Sequence, residues 1–414
     1  MRVLHVNKFL HRRGGAESYM MDLAEAQAGR GNEVAFFAMR HPDNVPSEYE
    51  RHFPRYVELN PMPRSPIGKA KGAARMLWSR SARRGIAKVV EEFRPGVAHL
   101  HNVYHQLSPS VVAALGDAGV PVVMTLHDYK LACPTYSFLD HGKVCTACVD
   151  GGPIEAVRRR CKDGSRAASA MLATETWLHR RLGAYDGVNV FVSPSRFLAG
   201  QMTRAGIYPD RLRVLSNFAE VSGVTPKSEP GGPLVCVGRL HETKGIDTAI
   251  RAMGLLGKDA RLVIAGDGPE RERLERMAAD LAPGRVRFLG RISRQEVLDL
   301  LVSATALLVP SRWYENQPMT ILEAYACGVP VVGTVLGGVS ELVTDGATGR
   351  LVPPDDPMEL ASAALALLRD PRKSLAMGRS ARSVAADRYS SESHLTALAE
   401  IYAEARRAME KQAR

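Results

Sequence analysis

Short apolar runs alternate with longer amphipathic stretches along the first half of this chain; the alternation stops in a polar segment and then starts again. Runs this dense in Val, Ile, Leu and Ala are hidden only inside a parallel sheet covered on both faces, with helices making the crossovers. In the first half the runs fall at 2–7, 33–39, 97–101, 120–126 and 187–192, with helical patterns near 17–29, 108–118, 168–185 and 195–205. In the second half they fall at 234–238, 261–265, 286–289, 306–310, 329–333 and 350–352. Helical patterns lie between these at 247–255, 270–280, 294–303, 318–326, 340–344 and 357–368.

At 414 residues the chain exceeds what one hydrophobic core holds. The reading is therefore α/β, with two Rossmann-like, doubly wound parallel-sheet domains. Residues 1–220 form the first, 221–233 a Pro- and Gly-rich linker, and 234–389 the second. A closing helical segment, 390–414, is expected to pack back on the first domain. Open α/β sheets bind ligands beyond the carboxyl ends of their strands, so two such edges facing one another predict a central cleft.

The polar residues after those strands carry the chemistry. Arg239 follows the strand at 234–238, and Lys244 and Gly245 precede the next helix. Two cations at a helix entrance suit a diphosphate, although surface charge is the other reading. Gly266-Asp267-Gly268-Pro269 ends the next strand in a tight turn, with glycines that permit close approach to a ligand or simply a sharp stop.

The most informative segment is Glu315-Asn316-Gln317-Pro318-Met319-Thr320-Ile321-Leu322-Glu323. Pro318 suits a helix's first turn, which puts Glu315 in the preceding loop and Glu323 within the helix. The amides of Asn316, Gln317 and Met319 would sit at the helix's positive end, fit for phosphate or a sugar hydroxyl. Gly337-Gly338-Val339-Ser340-Glu341 makes another turn of this kind, as does Gly14-Gly15 after the first strand. In the first domain His127-Asp128 ends the strand at 120–126, where His127 could hold a substrate hydroxyl or carbonyl.

Two features lie apart from this pattern. Cys133, Cys145, Cys148 and Cys161 crowd an insertion at about 130–165. A structural zinc, buried free thiols and a redox pair all remain open for them. Between Leu59 and Val90 stand eight basic residues and no acidic one, within a formal net charge of +11. The stretch 59–92 could meet an anionic membrane surface or be a solvated face. No reading motif for nucleic acid accompanies it. No apolar run reaches the roughly 18 residues of a membrane span, and the N-terminus reads as a strand rather than a signal peptide. A cytoplasmic protein, peripheral at most to a membrane, is expected.

With these motifs in this order, nearly the whole chain resembles the retaining, GT-B-fold glycosyltransferases of family 4. The strongest marks are Glu315-x₇-Glu323 and Val237-Gly238-Arg239-Leu240-x₃-Lys244-Gly245, with Gly14-Gly15-x-Glu17 and Ser193-Pro194-Ser195 in support. The resemblance implies a nucleoside-diphosphate sugar as donor and a hydroxyl-bearing acceptor. It implies Glu315 at the transferred sugar, Glu323 at the ribose, Arg239 and Lys244 at the diphosphate, His127 near the reacting centre and Gly15 beside the phosphates. UDP and GDP stay open, and Asn316-Gln317 departs from the commoner form of the motif. No Asp-x-Asp element stands at a fitting site, so no catalytic divalent metal is expected. A nucleotide-sugar epimerase or phosphorylase of similar fold, and a zinc-organised membrane- or polyanion-binding protein, are the competing readings.

Overall fold

The computed structural model describes residues 1–57, 72 and 74–412. The chain divides into two compact units: 1–141, 145–215 and 395–414 form unit 1, and 142–144 with 216–394 form unit 2. The first part of the basic stretch, including Arg64, Lys69 and Lys71, lies outside the described residues.

Unit 1 is built on β1 (Arg2–Val6), β2 (Glu33–Phe37), β3 (Val97–Leu100) and β4 (Val122–Thr125). After β5 (Leu139–Asp140) and β6 (Lys143–Val144) come β7 (Val190–Ser193) and β8 (Leu212–Val214). The main sheet runs β2-β1-β3-β4-β7-β8, every neighbour parallel. Every residue of β3, β4 and β7 is buried, as a sheet covered on both faces requires.

Unit 2 repeats the plan with β9 (Leu234–Val237), β10 (Leu262–Ala265), β11 (Val286–Gly290), β12 (Ala306–Val309), β13 (Val331–Thr334) and β14 (Gly349–Val352). Its parallel order is β11-β10-β9-β12-β13-β14, so the winding reverses between β9 and β12. Alternate residues feed two cores. Leu234, Cys236, Ile264 and Leu308 pack on one face, and Val235, Val263, Leu307 and Val309 on the other.

Four differences from the sequence reading have physical causes. The helix Arg80–Phe93 inside the basic stretch was not anticipated. Its apolar stripe is narrow, Ala82, Ile86, Val89 and Phe93, with Arg80, Arg83, Arg84 and Lys88 exposed around it. The Ser79 hydroxyl caps its start by accepting from the Ala82 amide. The helix Pro371–Arg388 was also missed, although Asp370 caps it and Pro371 opens it. The segment 221–233 is no free linker: Lys227 donates its amide to Cys327 O at 2.8 Å and its buried ammonium to Gly231 O at 2.8 Å. Its Pro and Gly residues shape a loop held against unit 2. Finally, Pro318 sits just ahead of the helix Met319–Ala326 in an extended conformation, rather than in its first turn.

Candidate active site

The reversal between β9 and β12 is where a sheet of this winding leaves a crevice at its carboxyl edge. Gly238 and Arg239 leave β9 there, and Pro310 to Glu315 leave β12. The Lys244 ammonium donates to Glu315 Oε1 at 2.7 Å, and the Ser311 hydroxyl donates to the same oxygen at 2.7 Å. Glu315 is 6% exposed. Burial alone would raise its pKa, but the neighbouring Lys244 charge and the bonds from Lys244 and Ser311 outweigh it, and the net shift is downward. A buried, ionised carboxylate and a half-buried ammonium thus pair at the wall of a cavity of about 20 Å³, also lined by Gly238, Ser311, Pro318 and Thr320. Arg239 is exposed and makes no ion pair among the described residues.

Ser311 and Arg312 escaped the sequence reading, although Ser311 stands one helical turn's length before Glu315. Arg312 donates to Asp247 Oδ2 at 2.7 Å and to Thr248 Oγ1 at 3.0 Å, and its amide to Thr243 O at 2.8 Å. It ties the strand end that carries Glu315 to the helix entrance that carries Lys244.

The loops themselves require several of the glycines. A Cβ on Gly266 would lie 1.9 Å from Gly238 O, and one on Gly245 1.9 Å from Pro310 O. Their close approach is loop to loop. Gly338 donates its amide to Glu315 O at 2.6 Å, and a Cβ there would stand 1.7 Å from Asn316 O. Gly338→Ala is therefore expected to destabilise unit 2 by about 1–3 kcal/mol, the usual cost of overpacking, read from its thermal unfolding. An unchanged melting curve would refute the contact. Gly14 is extended, with φ −161°, a conformation open to any residue, and Gly15 begins the helix Gly15–Gly29.

Among the other expected donor contacts, Gln317 is buried and its Oε1 accepts the Asn217 amide at 2.5 Å. Its side chain therefore braces the loop. Asn316 and Met319 are half-buried, and Glu323 is half-buried on the helix Met319–Ala326.

In unit 1, His127 is half-buried beyond β4, its Nε2 3.0 Å from His101 Nδ1. Burial drops its pKa to about 3, so the ring is neutral. Asp128 borders a cavity of about 390 Å³ at the same sheet edge, with Lys8, Tyr104, His105, Tyr136 and Met171. Burial raises the Asp128 carboxyl. Below the cavity Lys130 donates to Glu175 Oε2 at 2.9 Å, a pair 4% and 3% exposed, and His105 Nε2 lies 3.1 Å from the same oxygen.

The four cysteines of the insertion carry free thiols. Burial pushes Cys148 up to about 12 and Cys161 up to about 11. Cys133 Sγ stands 3.3 Å from Thr135 Oγ1, and Cys145 Sγ accepts the Ala147 amide at 3.5 Å. Among the described residues, the groups with three ligand atoms within 4.8 Å of one another are His5, His99 and His101, and His11, His41 and Asp43. The cysteines form no such group, so a four-thiolate zinc site would need their sulfurs drawn closer.

Comparison with known proteins meets this geometry. The profile described as Glycosyltransferase Family 4 matches residues 13–222, and that described as Glycosyl transferases group 1 matches 219–384. The chain belongs to glycosyltransferase family 4. One relative within reach of this family 4 chain is the GDP-mannose-dependent alpha-(1-6)-phosphatidylinositol monomannoside mannosyltransferase of Mycolicibacterium smegmatis, 38% identical over 178 residues. That match spans 41% of the chain and 47% of the relative, under half of either. The D-inositol 3-phosphate glycosyltransferase of Acidothermus cellulolyticus is 28% identical over 395 residues, covering 86% of the chain and 78% of the relative. Among solved structures, Anabaena HepE in complex with UDP and glucose superposes with a TM-score of 0.68 at 20% identity, covering 97% of this chain and 98% of that one. The family 4 chain thus has the two-Rossmann GT-B fold.

Proposed function

We propose that this chain transfers a glycosyl group from a nucleoside-diphosphate sugar to a hydroxyl of a polyol or glycan acceptor, with retention at the anomeric carbon. The observation that carries the reading is the Lys244–Glu315 pair at the switch point of unit 2, with Arg239 exposed after β9 and in no ion pair among the described residues. Arg239 and Lys244 take the diphosphate and stabilise the charge that grows on it as the glycosidic bond breaks. When the phosphates draw on Lys244, Glu315 is released to accept hydroxyls of the transferred sugar. Glu323 holds the ribose. The relative named for GDP-mannose and the HepE complex with UDP support a nucleotide-linked donor without choosing its base.

The acceptor enters the 390 Å³ cavity of unit 1, a size fit for one or two sugar rings. There the Tyr104 phenol is buried and, among the described residues, has no hydrogen-bond partner of good geometry, beside Asp128 and Lys8. Such an orphan suits a ligand hydroxyl.

The test is a thermal-shift screen of UDP, GDP and their glucose and mannose derivatives. A specific nucleotide at about 100 times its Kd adds about 2.7 kcal/mol of stability. Mass spectrometry and the anomeric configuration of the product follow. No shift with any nucleoside diphosphate would overturn the reading, and an inverted product would overturn retention. Transfer is expected to survive EDTA; loss restored by Mg²⁺ or Mn²⁺ would bring in a catalytic metal.

A further inference from the structure

His5, His99 and His101 stand side by side in the middle of the unit 1 sheet, fully buried. β1 and β3 pair His5 with His99, and His101 lies two residues on, facing the same side. Their ligand atoms are close enough for a metal, but all six ring nitrogens are already in hydrogen bonds. Those bonds form a chain that ends on His127.

Its direction follows from the orientation assigned to the Gln27 amide. Gln27 donates its Nε2–H to Tyr402 OH at 2.9 Å, which leaves the Gln27 Oε1, an acceptor only, 2.8 Å from His5 Nε2. His5 Nε2 therefore carries the hydrogen. Burial holds His5 neutral, at about 4, so its Nδ1 is bare. His101 Nε2, 3.1 Å away, must donate to it. His101 is also held neutral by burial, so its Nδ1 is bare and receives the hydrogen of His127 Nε2 across 3.0 Å. A neutral His127 with hydrogen on Nε2 keeps a lone pair on Nδ1. That nitrogen makes no hydrogen bond among the described residues, and His127, unlike His5 and His101, is only half-buried.

We propose that Gln27, acting through His5 and His101, fixes His127 as its Nε2–H tautomer, so that Nδ1 meets the substrate as a hydrogen-bond acceptor. Gln27, His5 and His101 are then positioning residues, and the group recognised is a substrate hydroxyl, whose O–H donates to Nδ1. A deoxy or fluoro analogue at that position cannot donate and is discriminated against. The inference rests on the reading of His127 as a substrate contact.

The experiment uses the full chain labelled with ¹⁵N-histidine and long-range ¹H–¹⁵N correlation, with the His127 signals assigned by their loss in His127→Asn. The expected result is a bare Nδ1 and a protonated Nε2 at neutral pH in the parent protein, which needs no variant to fold. Gln27→Leu removes the fixed end and should give a tautomer mixture at His127. It should also lower kcat/KM about tenfold, the worth of one hydrogen bond, while the Kd for the nucleoside diphosphate itself is held. A hydrogen on His127 Nδ1, or a tautomer indifferent to Gln27→Leu, would overturn the relay. A tautomer that responds with no change in kcat/KM would overturn the substrate role. If instead no nucleoside diphosphate binds, the transferase reading fails while the tautomer result still stands or falls separately.

Discussion

Lys244→Ala is expected to lower glycosyl transfer by about 10²–10³-fold, the range seen when one donor to a developing oxyanion is removed. Two losses act together. The diphosphate loses a cation in the transition state, and Glu315, 6% exposed, loses the charge that keeps it ionised. Its carboxyl then rises toward neutrality, because burial already pushes it that way. Glu315→Ala should fall by a similar factor, and the double variant by little more than either alone, since both act on one bound donor. The measurement is kcat/KM with the nucleotide-sugar that gives the largest thermal shift. Parent-like transfer by Lys244→Ala would remove this pair from the donor site.

The largest stability effect is expected in the other unit. Glu175→Ala should destabilise unit 1 by about 3–5 kcal/mol, because it strands the Lys130 ammonium, 4% exposed, without its counter-charge. Burial opposes ionisation of Glu175, but Lys130 and His105 overcome it and lower its pKa from 4.5 to about 2. The folded state thus holds the proton less tightly than the unfolded chain. This contribution is complete above about pH 4.5 and is lost as pH falls toward 2.

A second window opens earlier. His5 and His394, lowered by burial to about 4, and His127, lowered to about 3, stay neutral while the unfolded chain takes up protons below 6.5. Stability should therefore start to fall below pH 6.5 and fall further below 4.5. Glu175→Gln should flatten only the lower part, as urea midpoints across that range would show. An unaltered lower limb would rule out the buried pair as its cause.

Much of this was legible because it is local. Each apolar run became a strand, and in β3, β4 and β7 burial on both faces leaves no polar alternation to misread. Lys244 and Glu315 were legible as strand-end polar groups, because a parallel sheet gathers its loops at one edge. What was illegible is set by distance along the chain. Lys130 and Glu175 are 45 residues apart, and nothing in either neighbourhood announces the other. Gly266 reads like a ligand turn, but the atom that forbids a side chain there is the Gly238 carbonyl. Gln317 sits inside the most telling motif, yet its amide serves the backbone at Asn217. The short strand β8 has three residues, none of them buried, and offered no apolar run to see. The cysteine spacing could not say how near the sulfurs come.

The last helix, Ser391–Gln412, passes from unit 2 into unit 1 at Leu395. Leu398, Tyr402 and Ala405 are buried, and Tyr402 OH meets Gln27 and His99 across 375 and 303 residues of sequence. A ribosome therefore releases the closing piece of the first unit after all of the second. Unit 2 can finish its core during synthesis, whereas unit 1 must wait, with its histidine row uncapped, for nearly the whole chain to emerge.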